Sequence, residues 1–337
     1  MVFGYYLSLQ SGLYRRVNCA MRHFDIFNGD ADGLCGITQL RLARSGDGIP
    51  ITGVKRDINL LKRVEAKTGD SMTVVDISLE QNHSALETLL AKGCSISWFD
   101  HHHSPDIPTH PLLSTHIDTH RSTCSSLIVN EFLGNKFHEW AVVAAFGDNL
   151  ATSARRLAHA NNINDKHLEL FNQLGRCINY NSYGDTIGDL IIKPIDLYHK
   201  MVNLEHPLEL INGSNIVETL QKNMDDDSKF AQQIPLAEIN SRVAVVVLPN
   251  EKWARRVSGF YANQLANSFP DRSHAVLIEK DNNFLVSLRA PKNEPFNAHK
   301  VAKIFPTGGG REAAAGIQHL SKQDQQKLIN EMTLCWG

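Results

Sequence analysis

One short segment, Asp100-His101-His102-His103, places a carboxylate directly before three imidazoles. It follows an apolar run over residues 93–99 that is typical of a buried strand. At the carboxyl end of a strand in an open α/β sheet, such side chains lie where ligands bind. Carboxylate and imidazole together favour Mn, Fe, Zn or Co over Mg or Ca. The segment therefore indicates a metal site, and a polar turn with surface histidines is the alternative.

Three further segments place acidic or amide side chains directly after an apolar strand or helix. These side chains could be metal ligands, or they could only cap helices or form turns. In the segment 26–33, alternate side chains project the same way if the backbone stays extended, so those of Asn28, Asp30 and Asp32 could converge on one point. Several carboxylates at one sheet edge repel each other unless a cation lies between them. Two divalent ions roughly 3.5–4 Å apart would relieve this repulsion, and such pairs favour phosphoester hydrolysis. The residues concerned are Asn28, Asp30, Asp32, Asp76 and Asp148.

The elements that must position these residues alternate between strand and helix from residue 23 to about 150. This alternation predicts a parallel sheet with helices on both faces. A polar, mostly helical stretch follows to residue 236, in which residues 224–227 are expected to be a solvated helix surface. A second α/β unit begins near Arg242. The predicted strands are 23–28, 51–54, 71–75, 96–99, 243–248, 275–279 and 284–289, and the predicted helices are 33–45, 81–92, 122–133, 140–146 and 253–268.

Composition limits the classes of partner. The 337 residues carry a formal net charge of -2 and 7% aromatic residues, which argues against a long nucleic-acid surface. The 6 cysteines include no C-x-x-C pair, so neither a disulfide framework nor a structural zinc site is indicated. No apolar run reaches membrane-spanning length, and no signal peptide is recognised. We expect a cytoplasmic protein without membrane contact, and a homodimer is left open.

These ordered motifs resemble the DHH phosphoesterase superfamily, in the branch with a DHH-associated C-terminal domain. The resemblance spans about residues 23–320 and includes the segments 286–289 and 308–316 of the second unit. It implies four regions: an N-terminal extension (1–21), a DHH catalytic domain (22–190), a helical connector (191–237) and a smaller α/β substrate-binding domain (238–337).

The resemblance also implies residue roles. The first motif supplies ligands to two divalent ions, most commonly Mn²⁺, with Co²⁺, Fe²⁺ or Mg²⁺ as alternatives. Asp76 matches the bridging aspartate and Asp148 the last ligand. Asp100, His101 and His102 match the signature motif, with His101 as a direct ligand and His102 near the scissile phosphate. Substrate contacts fall on Arg289, Gly308, Gly309, Gly310 and Arg311.

Two positions depart from the family pattern. Asn28 stands where relatives carry a ligating Asp or His, and its uncharged oxygen is a weaker ligand. Arg311 stands where a His usually follows the three glycines, and a guanidinium can grip phosphate with two hydrogen bonds. We expect Arg311 to hold substrate away from the metals. For the glycine run itself, a tight turn that opens a helix is the alternative interpretation, and the helix N-terminus would also favour an anion.

The function that this pattern predicts is a metal-dependent phosphodiesterase of nanoRNase type, acting on short oligonucleotides or linear dinucleotides. Three alternatives stay open: a RecJ-like exonuclease on single-stranded DNA, a cyclic-dinucleotide or nucleotide phosphatase, and a nucleotide-binding protein with weak turnover. The partner in each case is a short single-stranded nucleic acid or a nucleotide.

Overall fold

The first sheet has five parallel strands in the order β2-β1-β3-β4-β5 in a computed structural model that describes residues 21–44 and 46–337. All but the last residue of the expected N-terminal extension lie outside the described residues. Successive side chains of β1 point to opposite faces of the sheet. Ile26 and Phe27 are both fully buried and belong to two different hydrophobic cores, one on each face. The strands are β1 (His23–Phe27), β2 (Ile49–Ile51), β3 (Ser71–Val75), β4 (Ser95–Asp100) and β5 (Leu113–Ile117).

Helices cover both faces of this sheet, as a parallel sheet requires. One face packs on the helix that carries Leu86 and Leu89, and the other on helices that carry Leu34 and Trp140. The alternation of strands and helices predicted from the sequence is confirmed. The helices are α1 (Ala31–Ala43), α2 (Leu79–Ala91), α3 (Ser125–Phe132), α4 (His138–Gly147), α5 (Ala151–Ala160) and α6 (Asp165–Ser182).

Three helices lead from this unit to the second one: α7 (Pro194–Met201), α8 (Pro207–Gly213) and α9 (Ile216–Gln232). The expectation of a solvated surface at residues 224–227 is wrong in part. Asp225 is exposed, but Asp227 is buried and forms an ion pair with Arg256. The acidic run spans one turn of α9, so its members face different directions.

The second sheet is mixed, in the order β10-β11-β9-β8-β7-β6, with only β7 and β8 parallel. One face packs on α11 and α12, and the other face packs on α10 and joins the core of the first unit. The elements are β6 (Ala237–Asn240), β7 (Val243–Leu248), α10 (Lys252–Ser268), β8 (Ser273–Glu279), β9 (Asn283–Arg289), α11 (Ala298–Lys303), β10 (Gly308–Gly310), β11 (Ala314–Ser321) and α12 (Gln325–Trp336).

The sequence prediction missed short strands at the sheet edges. β5 is polar and partly exposed, and β10 consists only of glycine, which has a low intrinsic preference for strands. Both form because a neighbouring strand supplies hydrogen bonds. The prediction also placed β2 at 51–54, a few residues late. No helix within the described part of the chain is both long and apolar enough to cross a membrane. The domain boundaries expected from the sequence stay a prediction.

Candidate metal centre between the two domains

The turn after β1 is organised around Asp30. Its Oδ1 accepts hydrogen bonds from the backbone N–H groups of Asp32 (3.1 Å) and Gly33 (3.0 Å), which caps the first turn of α1. A side chain at position 33 would clash, because its Cβ would lie 2.1 Å from the carbonyl oxygen of Asn28. The tight turn directs Asp30 and Asp32 into the protein, where both are buried.

Asp32 is held by the amino end of α3. Its two carboxylate oxygens accept the backbone N–H groups of Ser125 (2.8 Å) and Ser126 (2.7 Å). A helix N-terminus favours an anion. Burial and the charge of nearby Asp76 nevertheless raise the pKa of Asp32 to about 7. Negative charge is therefore in excess around this carboxyl group.

Asp76 directly follows β3 and adopts a left-handed backbone conformation, with φ 58°. Such a conformation is uncommon for a residue other than glycine and is enriched at functional sites. It brings Oδ1 to 3.3 Å from Nε2 of His101, and the hydroxyl of Ser125 donates to the same oxygen at 3.3 Å. Burial and the charge of Asp30 raise the pKa of Asp76 well above its usual range.

The segment after β4 orients two imidazoles. Asp100 Oδ1 accepts from the backbone N–H of His101 (2.8 Å) and from Nδ1 of His102 (2.7 Å). Burial lowers the pKa of His102, but the Asp100 carboxylate outweighs it and raises the pKa to about 9. His102 is therefore a positively charged, oriented side chain, and the following His103 is exposed.

His101 presents one ring nitrogen to the acidic cluster. Its Nδ1 lies 3.1 Å from the carbonyl oxygen of Thr123 and must donate to it, because a carbonyl can only accept. The lone pair is then on Nε2, which lies 3.3 Å from Asp76 and 3.8 Å from Asp32 Oδ2. Burial, together with the charge of Arg311, lowers the pKa of His101. A neutral imidazole fixed in this tautomer is the form that binds a metal.

Asp148 caps the end of α4 and meets a residue of the second domain. Arg311 donates from Nη1 to Oδ2 (2.8 Å) and from Nη2 to Oδ1 (3.2 Å). Burial would raise the pKa of Asp148, but the Arg311 guanidinium holds it well below its usual range. The expectation that Arg311 lies away from the metal residues is wrong, because its Nη1 is also 3.2 Å from His101 Nδ1.

The glycine segment that carries Arg311 forms a strand and does not open a helix, so the alternative interpretation of a helix-opening turn is wrong. Gly308, Gly309 and Gly310 make up β10, which pairs antiparallel with β11. Gly310 has φ 145°, and a Cβ there would lie 2.4 Å from Cα of Ala315, so the turn requires glycine. This turn aims Arg311 at Asp148.

Arg289, the other expected substrate contact, lies at the end of β9 and is half-buried. Its guanidinium donates to Asn263 Oδ1 (2.6 Å) and to the carbonyl oxygens of Leu288 (2.9 Å) and Gly259 (3.3 Å). Burial lowers the pKa of Arg289, and the charge of Arg311 acts in the same direction. The two arginines are thus close enough to influence each other.

Sequence reasoning missed Lys55. Its ammonium group bonds Oδ2 of Asp30 and lies 3.3 Å from Oδ1 of Asn179. Asn28 donates from Nδ2 to the carbonyl oxygen of Lys55 at 3.2 Å, and its buried Oδ1 has no hydrogen-bond partner among the described residues. The sequence could have indicated Lys55 through its position, because it follows β2 and so lies at the same edge of the sheet as the aspartates.

Five of the expected site residues therefore come together at one edge of the first sheet: Asp32, Asp76, His101, His102 and Asp148. They form two groups of three residues that could each hold a metal ion, and His101 belongs to both. Within each group, the potential ligand atoms all lie within 4.8 Å of one another. Asn28, Asp30 and Asp100 lie nearby but belong to neither group of potential ligands. The raised pKa values of Asp32 and Asp76 indicate that a positive charge would stabilise this cluster. Carboxylate oxygens around a neutral imidazole nitrogen fit a divalent metal ion of the Mn, Fe or Zn type. The groups are Asp76 with His101 and His102, and Asp32 with His101 and Asp148.

Comparisons with known proteins agree with this architecture. Residues 240–335 match the family model described as the DHHA1 domain. The structure of RecJ from Thermus thermophilus in complex with Mn²⁺ has a TM-score of 0.63 at 17% identity, and the match covers 93% of this chain and 52% of that one. Exonuclease RecJ bound to manganese has a TM-score of 0.58 at 18% identity, with 93% and 89% covered.

A third solved structure, the pGpG-specific phosphodiesterase PggH from Vibrio cholerae, has a TM-score of 0.50 at 13% identity, with 94% of this chain and 100% of that chain covered. No curated protein sequence matches the chain. At these identities the likeness concerns the fold: a parallel-sheet domain followed by a second α/β domain.

Proposed function

We propose that this chain, a DHH-fold protein with a C-terminal DHHA1 domain, is a metal-dependent phosphodiesterase that cleaves short oligonucleotides or linear dinucleotides. The observation that carries the proposal is the position of His101. Its Nε2 faces Asp76 and Asp32, while Arg311 of the other domain contacts its opposite side. In this proposal, His101 belongs to a hydrolytic centre and Arg311 binds phosphate beside it, where the two domains meet.

The residues have distinct tasks in this proposal. Asp32, Asp76 and His101 would hold a divalent ion, which would supply Lewis-acid stabilisation of a phosphoryl oxygen and acidify a bound water. His102 is oriented by the hydrogen bond from its Nδ1 to Asp100, which leaves the Nε2–H for the leaving oxygen of the substrate.

Arg311 offers a planar fork that suits a phosphate group. That fork is bonded to Asp148, so substrate phosphate must exchange with this carboxylate when it binds. Arg289 lies close by and adds a second positive charge to the same region.

A short substrate is favoured by the surface and by the contact between the domains. The net charge of -2 and the low aromatic content do not suit a long single strand, which needs a basic groove with stacking rings. The ion pair between Arg311 and Asp148 also joins the two domains beside the centre. A strand end needs less space beside such a contact than a strand that continues past it.

One assay separates this function from its alternatives. Chelator-treated protein is given Mn²⁺ and a panel of substrates: pGpG, oligoribonucleotides of two to five residues, matched oligodeoxyribonucleotides, a long single-stranded DNA, a cyclic dinucleotide and a 3′,5′-bisphosphate nucleotide. We expect the highest kcat/KM on the di- and short oligoribonucleotides and no turnover with chelator present.

Each other outcome overturns the proposal in favour of a stated alternative. Preference for the long DNA indicates a RecJ-like exonuclease. Turnover of the bisphosphate or the cyclic dinucleotide alone indicates a phosphatase or cyclic-dinucleotide enzyme. Tight binding of the panel without turnover indicates a nucleotide-binding protein, which the cation partners of Asp30 and Asp148 would suit.

A further inference from the structure

Lys55 is held in place at the metal centre from both its backbone and its side chain. Its backbone N–H donates to the carbonyl of Ser182 (2.9 Å), and its own carbonyl accepts from Asn28. Its side chain is 23% exposed and bonds the Asp30 carboxylate, with the ring of Tyr183 centred 5.6 Å from Nζ. A surface lysine usually keeps its ammonium in water. This one is anchored inside the site.

Of the ligand atoms that a second metal ion would need, both Asp30 oxygens are engaged elsewhere, and only the uncharged Oδ1 of Asn28 lacks a partner among the described residues. Asp30 uses Oδ1 to cap α1 and Oδ2 to bind Lys55. Asn28, on the other side of the turn, is neutral and directs its amide nitrogen to the carbonyl of Lys55. A divalent ion bound between Asn28 and Asp30 would lie next to an ammonium group, and the two positive charges would repel.

The charges of the centre also point to one ion. Four carboxylates surround it: Asp30, Asp32, Asp76 and Asp148. Lys55 neutralises the first and Arg311 the last, and Asp100 is separately bonded to His102. Arg289 bonds neutral groups, so it pairs with none of the four. Asp32 and Asp76 therefore remain as two carboxylates without a lysine or arginine partner among the described residues, and one divalent ion balances them. A buried charge without a partner destabilises the fold, so a centre with two unneutralised carboxylates favours one divalent ion over two.

We propose that Lys55 takes the place of one metal ion, so that this protein binds a single divalent ion at Asp32, Asp76 and His101. The inference rests on the proposed function and changes its expected cofactor from two ions to one ion and a fixed ammonium group. Lys55 acts here as a positioning residue for Asp30 and as the permanent second cation of the centre.

Counting bound ions tests the proposal without any substrate. Chelator-treated protein is titrated with Mn²⁺ by calorimetry, the bound ions are counted by elemental analysis after gel filtration, and the EPR spectrum separates an isolated Mn²⁺ from a spin-coupled pair. The wild type should bind one ion per chain with an isolated-ion spectrum. The double variant Asn28→Asp with Lys55→Met restores the acid and removes the cation, and it should bind two ions that couple.

Lys62→Met is the matched control, because Lys62 is an exposed lysine of the same domain, and it should bind one ion. Two coupled ions in the wild type would overturn the inference and leave the proposed function intact. One ion in a folded double variant would also overturn it, since Lys55 would then not be what excludes the second ion. No ion in the wild type would overturn both proposals. If the double variant does not fold, the wild-type count alone decides.

Discussion

Arg311 and Asp148 form a two-point ion pair between the two domains, 163 positions apart in the chain. The pair joins the glycine strand of the second domain to the end of α4, beside His101. A residue expected to hold only substrate therefore also sets the charge of the candidate metal centre. In the proposed function, substrate phosphate and metal ion would be coupled through this one guanidinium.

Removing the guanidinium should strengthen metal binding. Arg311→Ala takes a positive charge away from the centre and frees Asp148, so Mn²⁺ affinity should rise about 10- to 150-fold, from an interaction of about 1.5–3 kcal/mol. KM for a 5′-phosphorylated dinucleotide should rise at the same time, because the phosphate loses its fork. Calorimetric titration and steady-state kinetics measure the two effects.

Arg242→Ala is the control for this prediction, because Arg242 pairs with Glu294 at the surface of the same domain. It should leave Mn²⁺ affinity and KM unchanged. Unchanged or weaker Mn²⁺ binding in Arg311→Ala would show that the ion pair does not limit the metal centre.

Asp76→Asn should separate stability from activity. Burial and Asp30 raise the pKa of Asp76 well above its usual range, so its negative charge is unfavourable in the metal-free fold. Asparagine tolerates the left-handed backbone better than alanine does. The metal-free variant should therefore unfold at the same or a higher temperature than the wild type.

The same variant should bind Mn²⁺ poorly and lose turnover. We expect a loss larger than the roughly 10–100-fold that removal of an outer-sphere partner causes. Thermal unfolding without metal, Mn²⁺ titration and kcat are the measurements. Retained kcat with unchanged Mn²⁺ affinity would remove Asp76 from the ligand set.

Replacing Asp227 should lower the free energy of unfolding, whereas replacing exposed Asp225 on the same helix should hardly change it. Asp227 accepts from Arg256 at 2.9 and 3.0 Å and from the hydroxyl of Tyr180 at 2.5 Å, and it is buried between α6, α9 and α10. Asp227→Ala removes the only carboxylate among the described residues that these two groups bond, and leaves the mostly buried Arg256 with neutral partners, the Tyr180 hydroxyl and the Asp189 carbonyl. The substitution should lower the free energy of unfolding by about 3–5 kcal/mol. Asp225→Ala on the exposed side of the same helix should change it by less than about 0.5 kcal/mol. Equal effects in urea unfolding would refute the burial argument.

His274 should make the fold sensitive to acid. It is fully buried on β8, and burial together with Arg272 lowers its pKa to about 4, from an ordinary value of 6.5. Because the folded-state pKa is depressed, this contribution to stability is complete above pH 6.5 and is lost as the pH falls towards 4. At pH 4.5 the loss should be about 2.5 kcal/mol.

Urea unfolding of metal-free wild type, His274→Leu and His159→Gln between pH 7 and 4.5 checks this. The Leu variant should lose less stability on acidification than the wild type, and the variant at exposed His159 should follow the wild type. Parallel pH profiles for all three proteins would contradict the assignment.

The sequence by itself determined four of the five strands of the first sheet, the order of the acidic motifs and the edge where they meet. Buried parallel strands read as apolar runs, and their carboxyl ends share one edge, so Asp76 and His101 could be placed together from local pattern alone. The second sheet followed from the same kind of pattern at β7, β8 and β9.

Only the tertiary structure decided which charges meet. Lys55 reaches Asp30, Ser125 holds Asp32, and Arg311 reaches Asp148 across the domain boundary. These partners are separated by 25, 93 and 163 positions, and no periodicity of the chain encodes such distances. The glycine strand β10 likewise depends on its neighbour β11 for hydrogen bonds. Local sequence preferences determine where most helices and strands form, but the packing of the two domains determines which charged side chains pair at the centre.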